Sequence, residues 1–164
     1  MKCTALVAVS KHCIIGPFWF EDDNERIVTI NTKRYVQMLG KFWIALGRRR
    51  GVVRVLQWFQ QDSVNPHTSN ESLAWLQQRF PDRLISRRCD LQWSSHSLEL
   101  NPPDFYMWGC LKDRVYGNNP QTIPDLKATI RTIPREECGR VIENFARRIQ
   151  MCLQRRGAHS EHIF

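Results

Sequence analysis

Phe59-Gln60-Gln61-Asp62-Ser63-Val64-Asn65-Pro66-His67-Thr68 and Asn101-Pro102-Pro103-Asp104-Phe105-Tyr106-Met107-Trp108-Gly109 are the two stretches that decide how this chain is read. Asp62 closes the run Val52 to Phe59, whose β-branched and aromatic residues predict a strand buried on at least one face. Asn65-Pro66 then turns the chain. Asp104 falls in the first turn of a predicted helix, capped by Asn101 with Pro102 at its first position. On that helix Asp104, Trp108, Leu111 and Val115 share one face, so Asp104 stands at the N-terminal end of the face turned to the core. A carboxylate at a strand end and another at a helix start can share a divalent cation, because Mg²⁺ takes hard, anionic oxygen ligands. Each also has a plainer reading: Asp62 as a turn-capping residue, Asp104 as an acid offsetting a helix N-terminus.

Upstream, Ala5 to Val9 and Ile14 to Phe20 predict a two-strand hairpin, followed by the acidic turn Glu21-Asp22-Asp23-Asn24-Glu25. Asn31 predicts an N-cap, and Tyr35, Met38, Leu39, Phe42, Trp43 and Leu46 follow at helical spacing. Between the two aspartates, Thr68-Ser69-Asn70-Glu71 fits a capping box. Leu73, Leu76 and Phe80 form one face of the helix it opens, Pro81 ends it, and Arg83 to Ser86 predicts a short strand. Residues 87 to 100 read as loop. Downstream, Thr122 to Asp125 opens a helix with Leu126, Ile130 and Ile133 inward. A last helix begins at Pro134, with Val141, Phe145, Ile149 and Leu153 on one stripe, Arg140, Arg147, Arg148 and Arg155 off it, and Gly157 as C-cap. Phe42, Trp43, Trp75 and Trp108 sit at helical spacing and predict core packing rather than base stacking. Near Gly117-Asn118-Asn119-Pro120 the mixed region gives way to a helical tail, so the expected organisation is 1–118 and 119–164.

The chain has 164 residues, a length suited to one domain, and its 42% hydrophobic content suits a packed globule. The net charge of +8 points to a polyanionic partner. From Thr32 to Asp62 there are seven Lys or Arg against one acid, and from Arg131 to Arg156 seven Arg against three Glu. The six cysteines have neither CxxC nor zinc-finger spacing, which leaves reduced, mostly buried thiols as the simplest expectation. No run approaches the ~20 apolar residues of a membrane span, and Met1 to Val9 reads as a strand rather than a leader.

Taken in order, these segments resemble the catalytic domain of mariner-type transposases, in the DDE/D superfamily. Val9 to His12 with Ile14 to Pro17 is similar to that family's second and third strands, and Trp58 to Asp62 to its central strand ending in the second catalytic Asp. Leu84 to Arg88 is similar to the approach to the third acid, and Asn101 to Gly109 to the segment that bears it. Phe145 to Ile149 and His159 to Phe164 are similar to the C-terminal end. The resemblance implies an α/β fold: a partial RNase H-like domain lacking its first strand, with a helical C-terminal tail. It implies metal-assisted cleavage and transfer of DNA strands, with Asp62 and Asp104 as catalytic and metal-binding carboxylates for Mg²⁺ or Mn²⁺. It further implies transposon-end DNA as partner, a homodimer, no membrane or small-molecule substrate, and work in the nucleus. His67, Arg87, Arg88, Lys112 and Arg114 are the candidates for contact with nucleic acid.

The sequence departs from the family in three ways, one of them Ser63, where the turn after Asp62 usually carries Gly. The family's first catalytic Asp lies on a strand that would precede Met1, as does its helix-turn-helix region, and Asp22 and Asp23 stand in the wrong turn to replace that Asp. The family's Ser-Pro-Asp-Leu before the third acid reads Ser97-Leu98-Glu99-Leu100 here, which makes Glu99 a lesser candidate carboxylate. The expectation is a transposase fragment that is inactive alone and only marginally stable, because a central strand edge lies open. The alternative is a DNA-binding or subunit-association module without catalysis.

Overall fold

The computed structural model of the chain describes residues 3–93, 100–101, 106, 108–132 and 138–156. Its order is β1 (Ala5–Val9), β2 (Ile14–Trp19), α1 (Thr32–Gly47), a 3₁₀ turn (Arg54–Leu56), β3 (Phe59–Gln60), α2 (Asn70–Arg79), β4 (Leu84–Ile85), α3 (Trp108–Asn118), α4 (Ile123–Arg131) and α5 (Cys138–Gln154). By compactness the chain forms two units, one of residues 1–3, 7–17 and 97–164, the other of residues 4–6 and 18–96. No helix among the described residues is long and apolar enough to cross a membrane.

The hairpin β1–β2 forms as its sequence predicts. Ser10 closes its turn: its backbone N–H donates to Cys13 O at 2.9 Å, and its hydroxyl accepts from Cys13 N at 3.2 Å. The acidic turn after β2 is real, with Glu21 and Ile27 bridged across it and Asp22 Oδ1 accepting from Asn24 N and Arg26 N.

In the unit built on 18–96, α1 starts at Asn31, whose side chain accepts from Arg34 N at 2.9 Å. Its apolar stripe buries Tyr35, Met38, Leu39, Phe42 and Leu46. α2 packs on α1 through Leu73 and Leu76, both buried, and Phe80 ends that face at 1% exposure. Phe59 lies between Phe42 and Phe80, with ring centroids 5.6 Å and 5.1 Å away, and Trp43 meets Phe80 edge-on at 5.3 Å. Offset and edge-on ring pairs of this kind add to the gain from burial. β3 and β4 pair in parallel, Phe59 opposite Leu84 and Gln60 opposite Ile85, so β3–α2–β4 is a β-α-β unit.

In the other unit, Ile14, Leu111 and Cys138 are buried together, with Val7, Val9, Tyr106 and Ile130 packed against them. α3 packs on α4. α4 is capped by Thr122, whose hydroxyl accepts from Asp125 N at 3.3 Å.

Several expectations are corrected. The strand expected from Val52 to Phe59 is only Phe59–Gln60; Val53, Val55, Leu56 and Trp58 lie 51–66% exposed around the 3₁₀ turn. From this turn Arg54 packs back on α1. Its guanidinium sits over Trp43, 4.6 Å from the ring centroid, in the space a side chain at Gly47 would take. The cap of α2 is Ser69 rather than Thr68: its hydroxyl accepts from Ser72 N, so Ser72, not Glu71, stands three residues into the motif. Trp108 is 42% exposed, and the inward face of α3 is carried by Leu111. On α5 Leu153 is 73% exposed while Arg148 is buried, reversing the side each was expected to take. Trp75 is half-buried beneath Arg79, whose guanidinium carbon lies 3.7 Å from its ring centroid. The expectations for Ile133, Pro134 and Gly157 lie outside the described residues.

Candidate active site

Asp62 stands two residues beyond Gln60, at the carboxyl end of β3. In parallel α/β sheets ligands gather at that end, because the turns leaving the strands converge there. The register carries on past β4: Gln61 N–H donates to Ile85 O at 3.1 Å, which sets Gln61 beside Ser86. The turn from Asp62 to Thr68 is held by its own backbone, with His67 N and Thr68 N donating to Val64 O.

Within this turn the Asp62 carboxylate is fixed through one oxygen. Oδ1 meets His67 Nδ1 at 2.5 Å and accepts from Val64 N at 3.2 Å. Oδ2 takes part in neither bond, and the side chain is 40% exposed. Burial works to raise the Asp62 carboxyl, but the hydrogen bond and charge of His67 and the Val64 N–H outweigh it, so it titrates below its ordinary value. An ionised carboxylate only accepts, so the proton between the two lies on His67 Nδ1.

Behind Asp62 is a buried polar cluster that joins three elements. Tyr35, on α1, donates its hydroxyl to Gln61 Oε1 at 2.7 Å. Gln61 Nε2 donates to the His67 carbonyl at 2.8 Å and to Ser86 Oγ at 2.9 Å. The Tyr35 ring stacks on the His67 imidazole, centroids 4.2 Å apart at 29°. Burial first, then the negative charge of Asp62, push the Tyr35 phenol far above its ordinary value, so it stays a donor. The His67 carbonyl can only accept, so the Gln61 amide turns its nitrogen to His67 and Ser86 and its oxygen to the Tyr35 hydroxyl, which donates. Each of these deeply placed groups thus has a partner, as burial demands.

The other expected site residues are placed as follows. Arg87 and Arg88 are exposed, directly after β4 and Ser86. Lys112 is exposed on α3. Arg114, also on α3, donates from Nη1 to Thr132 O at 3.0 Å, holding the C-terminal end of α4. Asp104 and Glu99 lie outside the described residues. Among the described residues no three His, Cys, Asp or Glu side chains gather as a metal cluster. What the site does offer is an ionised, half-exposed carboxylate with one oxygen outside its hydrogen bonds, a donor suited to Mg²⁺ or Mn²⁺ rather than to a soft metal.

Sequence reasoning found Asp62 and His67 but missed Tyr35, Gln61 and Ser86. A signal was there for Gln61: strand alternation puts it in phase with Phe59, so a glutamine occupies a core position and needs buried partners.

No protein-family model matches the chain, and no curated protein matches it in sequence. Solved structures do match its fold. The catalytic domain of the Mos1 mariner transposase aligns with a TM-score of 0.74 and 16% identity, over 96% of this chain and 82% of that one. The Mos1 catalytic domain with raltegravir and Mg gives 0.71 and 18% identity, over 94% and 75%. The Mos1 mariner paired end complex with Mn gives 0.77 and 18% identity, over 94% of this chain but 44% of the Mos1 chain. The chain therefore has the mixed α/β, RNase H-like fold of that catalytic domain.

Proposed function

We propose that this chain, built on the fold of a mariner transposase catalytic domain, is part of a metal-dependent enzyme of DNA strand cleavage and transfer. Asp62 and Asp104 are two of the three carboxylates such a centre uses. The observation that carries the reading is Asp62 itself: it stands at the carboxyl end of β3 and is held ionised, with one oxygen outside its hydrogen bonds. Mg²⁺ or Mn²⁺ is the fitting cofactor, and when bound it supplies charge neutralisation at the phosphodiester. The chain's own part is to keep Asp62 deprotonated and its orientation fixed through His67. Arg87, Arg88, Lys112 and Arg114 supply positive charge for phosphates, with His67 at the same turn as Asp62. The partner is DNA, the assembly a homodimer and the place of action the nucleus.

On this reading Asp62 and Asp104 are two of the three carboxylates the chemistry needs, and the 164 residues tested by themselves are expected not to cleave DNA. Incubation with supercoiled plasmid and Mg²⁺ or Mn²⁺ is expected to leave it intact. A metal-dependent nick that disappears in Asp62→Ala would overturn the claim of inactivity while upholding the site.

The net charge of +8 and the exposed Arg87 and Arg88 favour a second reading, a DNA-binding module without catalysis. Its mark is DNA retention that weakens steeply with salt while Asp62→Asn and Asp104→Asn leave both retention and metal uptake unchanged. Loss of metal uptake in those variants favours the enzyme reading instead.

A further inference from the structure

We propose that Tyr35 is a positioning residue for Asp62, acting through Gln61 and His67. Two separate contacts leave Tyr35 and converge on His67. The first is polar: the Tyr35 hydroxyl donates to Gln61 Oε1 at 2.7 Å, and Gln61 Nε2 donates to the His67 carbonyl at 2.8 Å. The second is the stacking of the Tyr35 ring on the imidazole, centroids 4.2 Å apart. One holds the His67 backbone and the other its ring plane. With both fixed, Nδ1 is aimed at Asp62 Oδ1, and Oδ2 is the oxygen left outside.

The polar contact has a direction that makes it specific. A glutamine amide can be turned over, which would exchange its donor and acceptor ends. The His67 carbonyl only accepts, so Nε2 faces His67 and Ser86, and the buried phenol completes the arrangement by donating to Oε1. Tyr35 is 2% exposed and Gln61 7%, so water does not compete for these bonds. α1 thereby reaches a turn that begins 27 residues after Tyr35 in sequence, and the rigid helix, not the loop, sets where the carboxylate stands. Outer partners of this kind fix the orientation of ligands that are not themselves anchored in regular structure.

The inference rests on the functional reading for its use but not for its geometry, so the two are tested by different signals in one NMR experiment on the 164-residue chain. In the native protein the His67 Hδ1 proton is expected as a distinct, slowly exchanging downfield imidazole signal. Tyr35→Phe keeps the ring and its stacking but removes the hydroxyl. It is expected to broaden or abolish that signal while the methyl resonances of Leu39 and Leu76 stay at their native shifts. Gln61→Glu keeps an acceptor for Tyr35 but has no N–H for the His67 carbonyl, and the same loss is expected. An unchanged Hδ1 signal in a folded Tyr35→Phe protein would overturn the inference; should that variant not fold, Gln61→Glu decides in the same way. Titration with Mn²⁺ then reads the use of the geometry: broadening around Asp62 is expected in the native chain, at roughly tenfold lower Mn²⁺ affinity in Tyr35→Phe. Absence of Mn²⁺ broadening in the native chain, with the Hδ1 response intact, refutes the metal reading and leaves the positioning role standing.

Discussion

Gln61→Leu strikes the point on which the candidate site turns. It removes three hydrogen bonds at once: with the Tyr35 hydroxyl at 2.7 Å, the His67 carbonyl at 2.8 Å and Ser86 Oγ at 2.9 Å. Tyr35 and Ser86 are 2% and 0% exposed, so neither can turn to solvent in place of Gln61. The His67 carbonyl belongs to a half-buried loop and can recruit water. Two orphaned buried groups, at about 1–3 kcal/mol each, set the gross cost at about 2–6 kcal/mol. The apolar area leucine buries offsets about 1–2 kcal/mol of this. A net loss of about 1–4 kcal/mol follows, a large part of the 5–15 kcal/mol typical of a whole domain. Urea denaturation measures it, and exchange of the Gln61 amide, bonded to Ile85 O, localises it to the β3–β4 pair. Tyr35→Phe should cost less, because it orphans only Gln61 Oε1. The double variant Tyr35→Phe/Gln61→Leu should fall short of the sum by about 1 kcal/mol, since both single changes break the same bond. A Gln61→Leu loss under about 0.5 kcal/mol, or strict additivity in the double variant, would refute the cluster as a cooperative unit.

Three further outcomes test other parts of the structure. Because the Asp62 carboxyl titrates below its ordinary value of 3.8 when folded, its contribution to stability is complete above that value and is lost as pH falls through the lower folded one; Asp62→Asn should therefore flatten the acid limb of the stability profile. Ser69→Ala should destabilise α2 by about 1 kcal/mol in thermal or urea unfolding, because Ser69 is the residue that caps Ser72 N. In DNA retention measured against salt, Arg87→Ala and Lys112→Ala should each reduce the salt slope by about 1 with little change in stability, whereas Arg114→Ala should also lower stability, since its guanidinium holds Thr132.

The sequence is legible where local chemistry and packing agree. Asn31 and Thr122 cap the helices they were expected to cap, and the stripe from Tyr35 to Leu46 is buried as its spacing requires. Ala5 to Val9 and Ile14 to Trp19 are strands because two short apolar runs joined by a Ser10-stapled turn favour a hairpin. It misleads where a tertiary contact overrides propensity. Val52 to Phe59 has the composition of a strand, but it forms a 3₁₀ turn from which Arg54 stacks on Trp43 above Gly47. Arg148 is buried although its charge placed it outside, and Leu153 is exposed although its spacing placed it within. The Asp62–His67 pair is half-legible: two polar residues in one short turn are visible, their 2.5 Å approach is not. Tyr35 is the clearest omission. Helical spacing identified it as core, and nothing in that spacing says that its hydroxyl would find Gln61, 26 residues away.

The central proposal, that Asp62 and Asp104 serve one metal centre, is tested most directly by iron-directed cleavage. Fe²⁺ taking the place of Mg²⁺ reacts with added hydrogen peroxide, ascorbate returning Fe³⁺ to Fe²⁺, and the hydroxyl radicals released cut the backbone beside its ligands. Mass spectrometry of the 164-residue chain should find cuts adjoining both Asp62 and Asp104, suppressed together by excess Mg²⁺ and lost together in Asp62→Asn. Cuts at neither aspartate, or cuts at one that persist when the other is replaced, would contradict a shared site.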